Sequence, residues 1–208
     1  MIVKEELQNL YAQGFSLKEI SRIIKVSENQ VAYWMKKFNL KRRSRSEALY
    51  IKNNPEGDPF LFKKPLTKHD FVLLGIGLGL WWGEGSKTYP TVVRLGNTNP
   101  DLISSFILFL TEICGFPRDR LRFGLQIFSD MSPKDVLKFW MQTLDVSQKQ
   151  FYKIIVTPAR SLGTYRHKTK YGVLTIYAGN RNLRRLLDHL MEKYADVAQL
   201  VERIHGGS

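Results

Sequence analysis

The chain has 208 residues, of which 43% are hydrophobic, and its formal net charge is +13. This is enough apolar material for one large domain, or for a small domain followed by a medium one. The positive charge predicts an acidic partner, either nucleic acid or an anionic membrane. A membrane-spanning helix and a zinc site are unexpected, because the sequence has neither an apolar run of about 18 residues nor clustered cysteines and histidines. The single cysteine, Cys114, cannot form an internal disulfide, which fits a reducing cytoplasm, and its apolar neighbours favour a core position. We expect a cytoplasmic, nucleoid-associated protein of bacterial or organellar type.

Residues 2–39 have the pattern of three short helices. Ser16 with Glu19, and Ser27 with Gln30, have the spacing of capping boxes, in which each side chain satisfies a free backbone donor at a helix start. Two short capped helices with a tight connection are typical of a helix-turn-helix, whose second helix enters the major groove of DNA. We therefore predict a helix-turn-helix DNA-binding domain over residues 1–45, with an ordinary three-helix bundle as the alternative.

The second helix of this motif is predicted to present a polar face to DNA, and a basic run follows it at residues 41–45. Such a run can lie along phosphates or in the minor groove, or it can be a solvated linker. Residues 46–65 contain the asparagine, glycine and proline signals of a linker. The predicted DNA contacts in this part of the chain are Gln30, Tyr33, Lys36, Lys37, Arg42 and Arg43.

Residues 66–194 are predicted to form an α+β core, followed by a tail at 195–208. The pattern predicts helices near 67–83, 101–114, 132–144 and 180–194, and strands near 91–96, 121–128, 151–156 and 171–178. The strands alternate apolar and polar residues, so the sheet should have one face for helices and one open face.

No acidic residue occurs between Asp145 and Asp188, although the same window holds many basic ones. An acid-free stretch that spans two strands favours a polyanion nearby. The predicted DNA contacts of the core are Arg94, Arg122, Gln126, Lys153, Arg160, Arg166 and Lys168.

Three glycines, Gly75, Gly79 and Gly83, recur every four residues in the first core helix, which ends at Glu84. Glycine costs a helix about 1 kcal/mol relative to alanine. Three on one face are therefore best explained by the close approach of a second helix.

Residues 77–85, which read G-L-G-L-W-W-G-E-G, resemble the LAGLIDADG motif of homing endonucleases in its W-G-E-G-S-K variant. The resemblance covers about residues 66–194 and implies an α-β-β-α-β-β-α core with a saddle-shaped antiparallel sheet. Trp82 stands where many members have an acidic residue that is not the catalytic one. Only one motif is present and the family needs two motif helices side by side, so the resemblance implies a homodimer with Gly75, Gly79 and Gly83 at its interface.

The resemblance also implies metal-dependent, site-specific cleavage of double-stranded DNA. Glu84 and Gly83 would hold Mg²⁺ or another divalent cation, with one carboxylate from each subunit near two scissile phosphates. Lys170 is taken as the basic catalytic residue, with Lys153 and Arg160 as alternatives. Two other functions known in the family remain open: a DNA-binding transcriptional regulator that does not cut, and a maturase that binds intron RNA. No membrane partner is expected.

Overall fold

The computed structural model describes residues 3–159 and 170–205, with the side chains of residues 45–46 and 194–205 left aside. The predicted DNA contacts Arg160, Arg166 and Lys168 lie outside the described residues. The chain divides into two compact units, residues 1–59 and residues 60–208. Within the described ranges, no helix has the length and apolar character needed to cross a bilayer.

The N-terminal unit consists of four helices, α1 (Lys4–Ala12), α2 (Leu17–Ile23), α3 (Glu28–Lys37) and α4 (Arg45–Asn53). Its small core is made by apolar side chains that lose all contact with solvent: Leu7, Ile20, Val31 and Met35. Both predicted capping boxes are confirmed, at the starts of α2 and α3. The tight connection between these two helices is therefore held by local hydrogen bonds at each helix start.

Helix α4 lies within the segment predicted to be a linker. It begins with a third capping box, formed by Ser44 and Glu47. Gly14 has a φ of +98°, and a Cβ built there would lie 2.5 Å from Cγ2 of Ile51 in α4. Only glycine combines that backbone conformation with such a close approach, so α4 packs against the turn after α1.

The C-terminal unit alternates helices and strands. A short π-helical turn (Phe109–Ile113) continues its second helix, and 3-10 turns lie at Arg118–Arg120 and Gln148–Gln150. In chain order its elements are α5 (Lys68–Glu84), β1 (Val93–Asn97), α6 (Pro100–Leu108), β2 (Arg122–Phe128), α7 (Pro133–Leu144), β3 (Ile155–Thr157), β4 (Val173–Ala178) and α8 (Arg181–His205).

The sheet has the strand order β1-β4-β2-β3, in which β4 is antiparallel to both of its neighbours and β2 is parallel to β3. The α+β class is confirmed, but the expectation of an all-antiparallel sheet is wrong for the last pair. The order of elements, α-β-α-β-α-β-β-α, is the one that the residue pattern predicts, whereas the order implied by the resemblance, α-β-β-α-β-β-α, lacks α6. The parallel pairing arises from α7, which carries the chain from the end of β2 back to its start, so that β3 must run in the same direction.

Strand alternation decides where the core of this unit lies. The inward residues of the three longer strands are buried beneath α5, α6 and α8, together with the rings of Trp81, Phe106 and Trp140. The opposite face carries half-buried or exposed residues, as the sequence predicts. The buried strand residues are Val93, Leu95, Phe123, Leu125, Ile127, Leu174, Ile176 and Ala178.

The start of α5 is held by a network around Asp70. Its carboxylate accepts hydrogen bonds from the amide and the hydroxyl of Thr67, at 2.9 and 2.8 Å, and from Nζ of Lys63 at 2.8 Å. The bond from Lys63, followed by those from Thr67, lowers the pKa of Asp70 to about 2. The ionised carboxylate is therefore part of the folded state at neutral pH.

We expect Asp70→Asn to lower the melting temperature at neutral pH, because it removes the charge that binds Lys63. The pKa of Asp70 is depressed in the folded state, so its contribution to stability is present above the unfolded pKa of about 4. That contribution is lost as the pH falls from about 4 towards 2. Thermal unfolding across this pH range should show the two proteins converging, and a constant difference would contradict the assignment.

Candidate active site and nucleic-acid interface

Among the residues that the structure describes, none packs against one face of helix α5. A Cβ built at Gly75, Gly79 or Gly83 meets no atom within 4 Å. Residues three and four apart share a helix face, so these glycines form one open stripe. The same side carries large apolar residues that are 46–61% exposed: Phe71, Val72, Ile76 and Trp82.

Gly77 has a different role from the other glycines of α5. A Cβ there would lie 2.0 Å from Cγ of Phe109, so the absence of a side chain lets the helix pack directly on this ring. The glycines of α5 thus divide into one that seats the helix on its own core and three that stay open. An apolar face left exposed beside three open glycines is typical of an interface, and it is the face predicted for dimerisation.

Gly79→Leu should therefore convert a dimer into a monomer, raising the dimer dissociation constant by more than about tenfold, or about 1.4 kcal/mol. Leucine is a better helix former than glycine, so the monomer itself should not be destabilised. Gly79→Ala is the matched control, because it adds helix propensity with much less bulk. Sedimentation velocity that shows the same dimer for wild type and Gly79→Leu would exclude this face as the interface.

Glu84 is the last residue of α5 and is exposed. A Cβ at Gly85 would lie 2.3 Å from the carbonyl oxygen of Trp81, so only glycine fits directly after it. The chain then turns towards the edge of the sheet, where Gly85 pairs with Leu95 and the amide of Ser86 donates to the carbonyl of residue 94 at 2.8 Å. The carboxylate therefore stands where the helix end meets the β1 edge.

The predicted metal ligands are oxygen atoms of a kind that suits Mg²⁺. The carbonyl of Gly83 is in the last turn of α5, where carbonyls lack an amide donor from their own helix, and Glu84 adds a carboxylate. Over residues 3–159 and 170–205, no three acidic, histidine or cysteine side chains gather as a metal-binding group. Within one chain, the helix end thus offers a single carboxylate.

Two basic residues beside Trp81 were not singled out for the site by sequence reasoning. Nζ of Lys87 donates to the carbonyls of Trp81 and of Gly85, the latter at 3.0 Å, and lies 4.0 Å from the indole centroid. The guanidinium of Arg184, which is only 5% exposed, lies 4.8 Å from the same ring and forms an ion pair with Asp188. Burial lowers the pKa of both cations, and for Lys87 the charge of Arg184 lowers it further. The motif letters W-G-E-G-S-K contain Lys87, so a signal was available for one of the two.

The contacts that the structure describes within one chain do not include one between Glu84 and Lys170, the predicted basic catalytic residue. It precedes β4 by three residues, and its ammonium lies 5.3 Å from the ring of Tyr171. Gly85 is opposite Leu95, which pairs with Ile176 in β4. Lys170 lies in the turn before Val173, and the three strand steps from Val173 to Ile176 already span roughly 10 Å.

Lys153 is also distant from the end of α5. It is exposed and lies just before β3, at the opposite edge of the sheet from β1. Three strand spacings separate the two edges, or about 14 Å. Lys153 and Lys170 therefore suit contacts with a long ligand better than a role beside Glu84.

The open face of the sheet carries basic and aromatic side chains in cross-strand register. Arg94 and Arg122 both pair with Tyr177, one from each side, and the Arg94 guanidinium lies 5.3 Å from that ring. A Cβ at Gly124 would lie 3.0 Å from the Tyr177 ring, so glycine lets the ring lie flat over the strand. Acidic residues are absent from the described strands of this sheet, which is what a polyanion-binding surface requires.

Two predicted contacts on this face are partly engaged within the chain. Nη1 of Arg122 donates to the carbonyls of Asp119 and Leu121, at 2.7 and 2.8 Å. Nε2 of Gln126 donates to the hydroxyl of Thr157 at 3.1 Å. Both side chains are held in place and keep other polar atoms for a ligand.

The exposed side of α3 forms a groove of about 710 Å³ with the segment that follows it. Tyr33 is 59% exposed there, and Lys36 and Arg42 are exposed. The predicted contact Lys37 is also exposed, and its ammonium lies 4.6 Å from the ring of Trp34. The groove is lined by Asn29, Ala32, Tyr33, Met35, Lys36, Asn39, Leu40, Lys41 and Arg42.

Gln30 and Arg43 are less available than the sequence suggested. Oε1 of Gln30 accepts hydrogen bonds from the amide and hydroxyl of Ser27, at 3.0 and 3.3 Å, which leaves only its NH₂ group for a base. The amide of Arg43 donates to the hydroxyl of Tyr11 at 2.6 Å, and the guanidinium lies 4.0 Å from that ring. Arg43 therefore anchors the basic segment to α1.

Substitutions at Gln30 can separate its capping role from DNA binding. Gln30→Ala should destabilise the N-terminal unit by about 1 kcal/mol, because the capping bonds are lost. Gln30→Glu preserves a capping box and should leave the melting temperature unchanged, while its negative charge weakens DNA binding several-fold. Unfolding curves and electrophoretic mobility shifts measure the two effects. Equal DNA affinity for wild type and Gln30→Glu would show that DNA does not contact α3 near Gln30.

Comparison with known proteins gives a match to the N-terminal unit alone. Residues 3–45 match the family described as putative ATPase subunit of terminase (gpP-like). The match covers about a fifth of the chain, from α1 to the basic segment after α3. Neither the curated proteins nor the solved structures include one that matches this chain.

Proposed function

We propose that this protein is a homodimeric, metal-dependent, site-specific double-strand DNA endonuclease of the LAGLIDADG type, with its N-terminal helices as an additional DNA reader. The observation that carries the proposal is the unpartnered apolar face of α5, which ends at the exposed carboxylate of Glu84. An apolar helix face favours pairing with a second copy, and a two-fold axis along it would bring two such carboxylates together.

Duplex DNA would lie along the open face of the sheet. The row formed by Arg94, Tyr177 and Arg122 offers positive charge and hydrogen-bond donors, and Lys153 and Lys170 extend the positive charge to other edges. Contacts with phosphate position the duplex, and donors such as Gln126 can reach base edges. The exposed side of α3 supplies a second set of contacts from a separate unit.

Glu84 and the carbonyl of Gly83 would hold Mg²⁺ or a similar cation, whose chemistry when bound is to activate water and to neutralise charge on the leaving oxygen. The chain supplies the rest. The dimer axis places one Glu84 near each strand, and the basic face holds the phosphates in register. Gly85 and the bridge to Leu95 fix the end of α5 against the sheet, which restrains the position of Glu84 within each subunit.

The terminase-like match supports a DNA-related role for the N-terminal unit and does not extend to α5. The 208 residues contain no G-x-x-x-x-G-K-[ST] sequence, the usual phosphate-binding loop of an ATPase. We therefore attribute the match to the helix-turn-helix and not to ATP hydrolysis.

Glu84→Gln is the test of the chemistry. It keeps size and hydrogen bonding but removes the charge that would hold the metal, and in a symmetric dimer both copies are lost together. With Mg²⁺ and a plasmid that carries the gene's own flanking DNA, wild type should give a double-strand break. Glu84→Gln should cut at least about 100-fold more slowly, while binding is retained or tightened because negative charge near phosphate is removed.

Glu112→Gln is the matched control, because it changes another exposed helical glutamate and should cut as wild type does. EDTA should abolish cleavage by both active proteins. Equal cutting by Glu84→Gln and wild type would show that Glu84 is not catalytic. Binding without cleavage by wild type would favour the regulator that does not cut.

A further inference from the structure

The C-terminal end of α5 is bound by a cation from within the chain. Helix ends leave their last carbonyls without amide donors and carry partial negative charge, so a cation is stabilised there. Lys87 occupies this position: its ammonium donates to the carbonyls of Trp81 and Gly85, one before and one after Glu84. Lys87 thus links the two ends of the short segment from Trp81 to Gly85, which contains Glu84.

The ammonium of Lys87 also contacts the ring of Trp81. The Trp81 side chain is fully buried and stacks on Phe106, with centroids 6.4 Å apart. The ammonium of Lys87 lies 4.0 Å from the ring centroid and the guanidinium of Arg184 lies 4.8 Å from it. Each cation is attracted to the face of this buried ring, and for Lys87 the attraction adds to its two hydrogen bonds to carbonyls.

Lys87 is not required to terminate α5. The backbone bond from the Gly85 amide to the Trp81 carbonyl, at 3.1 Å, already ends the helix. Lys87 adds a second donor to that same carbonyl at an exposed position, where a surface lysine ordinarily stays in solvent. The contact between Lys87 and the carbonyl of Trp81 suits a site in which the nearby carboxylate must be held in one fixed place.

We propose that Lys87 is a positioning residue of the candidate active site, which fixes the backbone around Glu84 through the carbonyls of Trp81 and Gly85. This inference rests on the proposed function for its catalytic consequence, but the positioning itself is a property of the free protein. Catalytic groups need their backbone held to within a fraction of an ångström, and their supporting contacts have large effects on rate.

The test compares Lys87→Met, Lys87→Arg and a matched control, Lys138→Met. Methionine keeps the length of the side chain and removes the charge, whereas arginine keeps the cation and its attraction to the indole. Lys138 is an exposed lysine of α7, away from the end of α5. Lys87→Met should lower kcat by about 10- to 100-fold with KM and DNA affinity unchanged, Lys87→Arg should recover most of that loss, and the control should cut as wild type.

Amide hydrogen exchange of the free protein gives a readout that does not depend on cleavage. The Gly85 amide should exchange about tenfold faster in Lys87→Met and near the wild-type rate in Lys87→Arg, because the link through Lys87 restrains local opening. Faster exchange in a protein that never cuts DNA would support the positioning and count against the proposed function alone. Unchanged Gly85 exchange, no recovery by arginine, or a loss of kcat matched by equal losses of DNA affinity and melting temperature would overturn the proposal.

Discussion

The seating of α5 on its own core is the constraint on which the rest of the site depends. Gly77 allows the helix to lie directly on the ring of Phe109, and Trp81 is buried one turn later. With those residues turned inward, helical geometry leaves Gly75, Gly79 and Gly83 on the other side. The buried contacts therefore determine both which face remains for a partner and where Glu84 emerges at the helix end.

The two ends of α5 interact with side chains of opposite charge. At its start, the carboxylate of Asp70 binds free backbone and hydroxyl donors and is neutralised by Lys63. At its end, Lys87 binds carbonyls and Arg184 adds a second cation nearby. Both arrangements follow the helix dipole, which favours anions at the first turn and cations at the last. They also leave Glu84 as an exposed carboxylate within a strongly basic protein.

Local signals in the sequence were sufficient for much of the fold. Capping boxes at Ser16 and Ser27, and strand alternation at residues 121–128, depend on spacings of a few residues, and the structure confirms them. Helix α4 was missed because the asparagine, glycine and proline signals of residues 53–59 dominated the segment. The parallel pairing of β3 was missed because pairing direction depends on where α7 returns the chain.

The sequence by itself determined the basic charge, the presence of three glycines on one face of α5 and the position of Glu84 at a helix end, because composition and helical periodicity are properties of the chain. Only the tertiary structure decided which basic residues stand near that carboxylate. Lys170 was predicted from the resemblance, and the structure places it in the turn before β4 and not in contact with the end of α5. Lys87 and Arg184 are separated by nearly half of the chain, yet both lie against the ring of Trp81. Such a meeting depends on the packing of α5 against α8, which no local pattern of residues encodes.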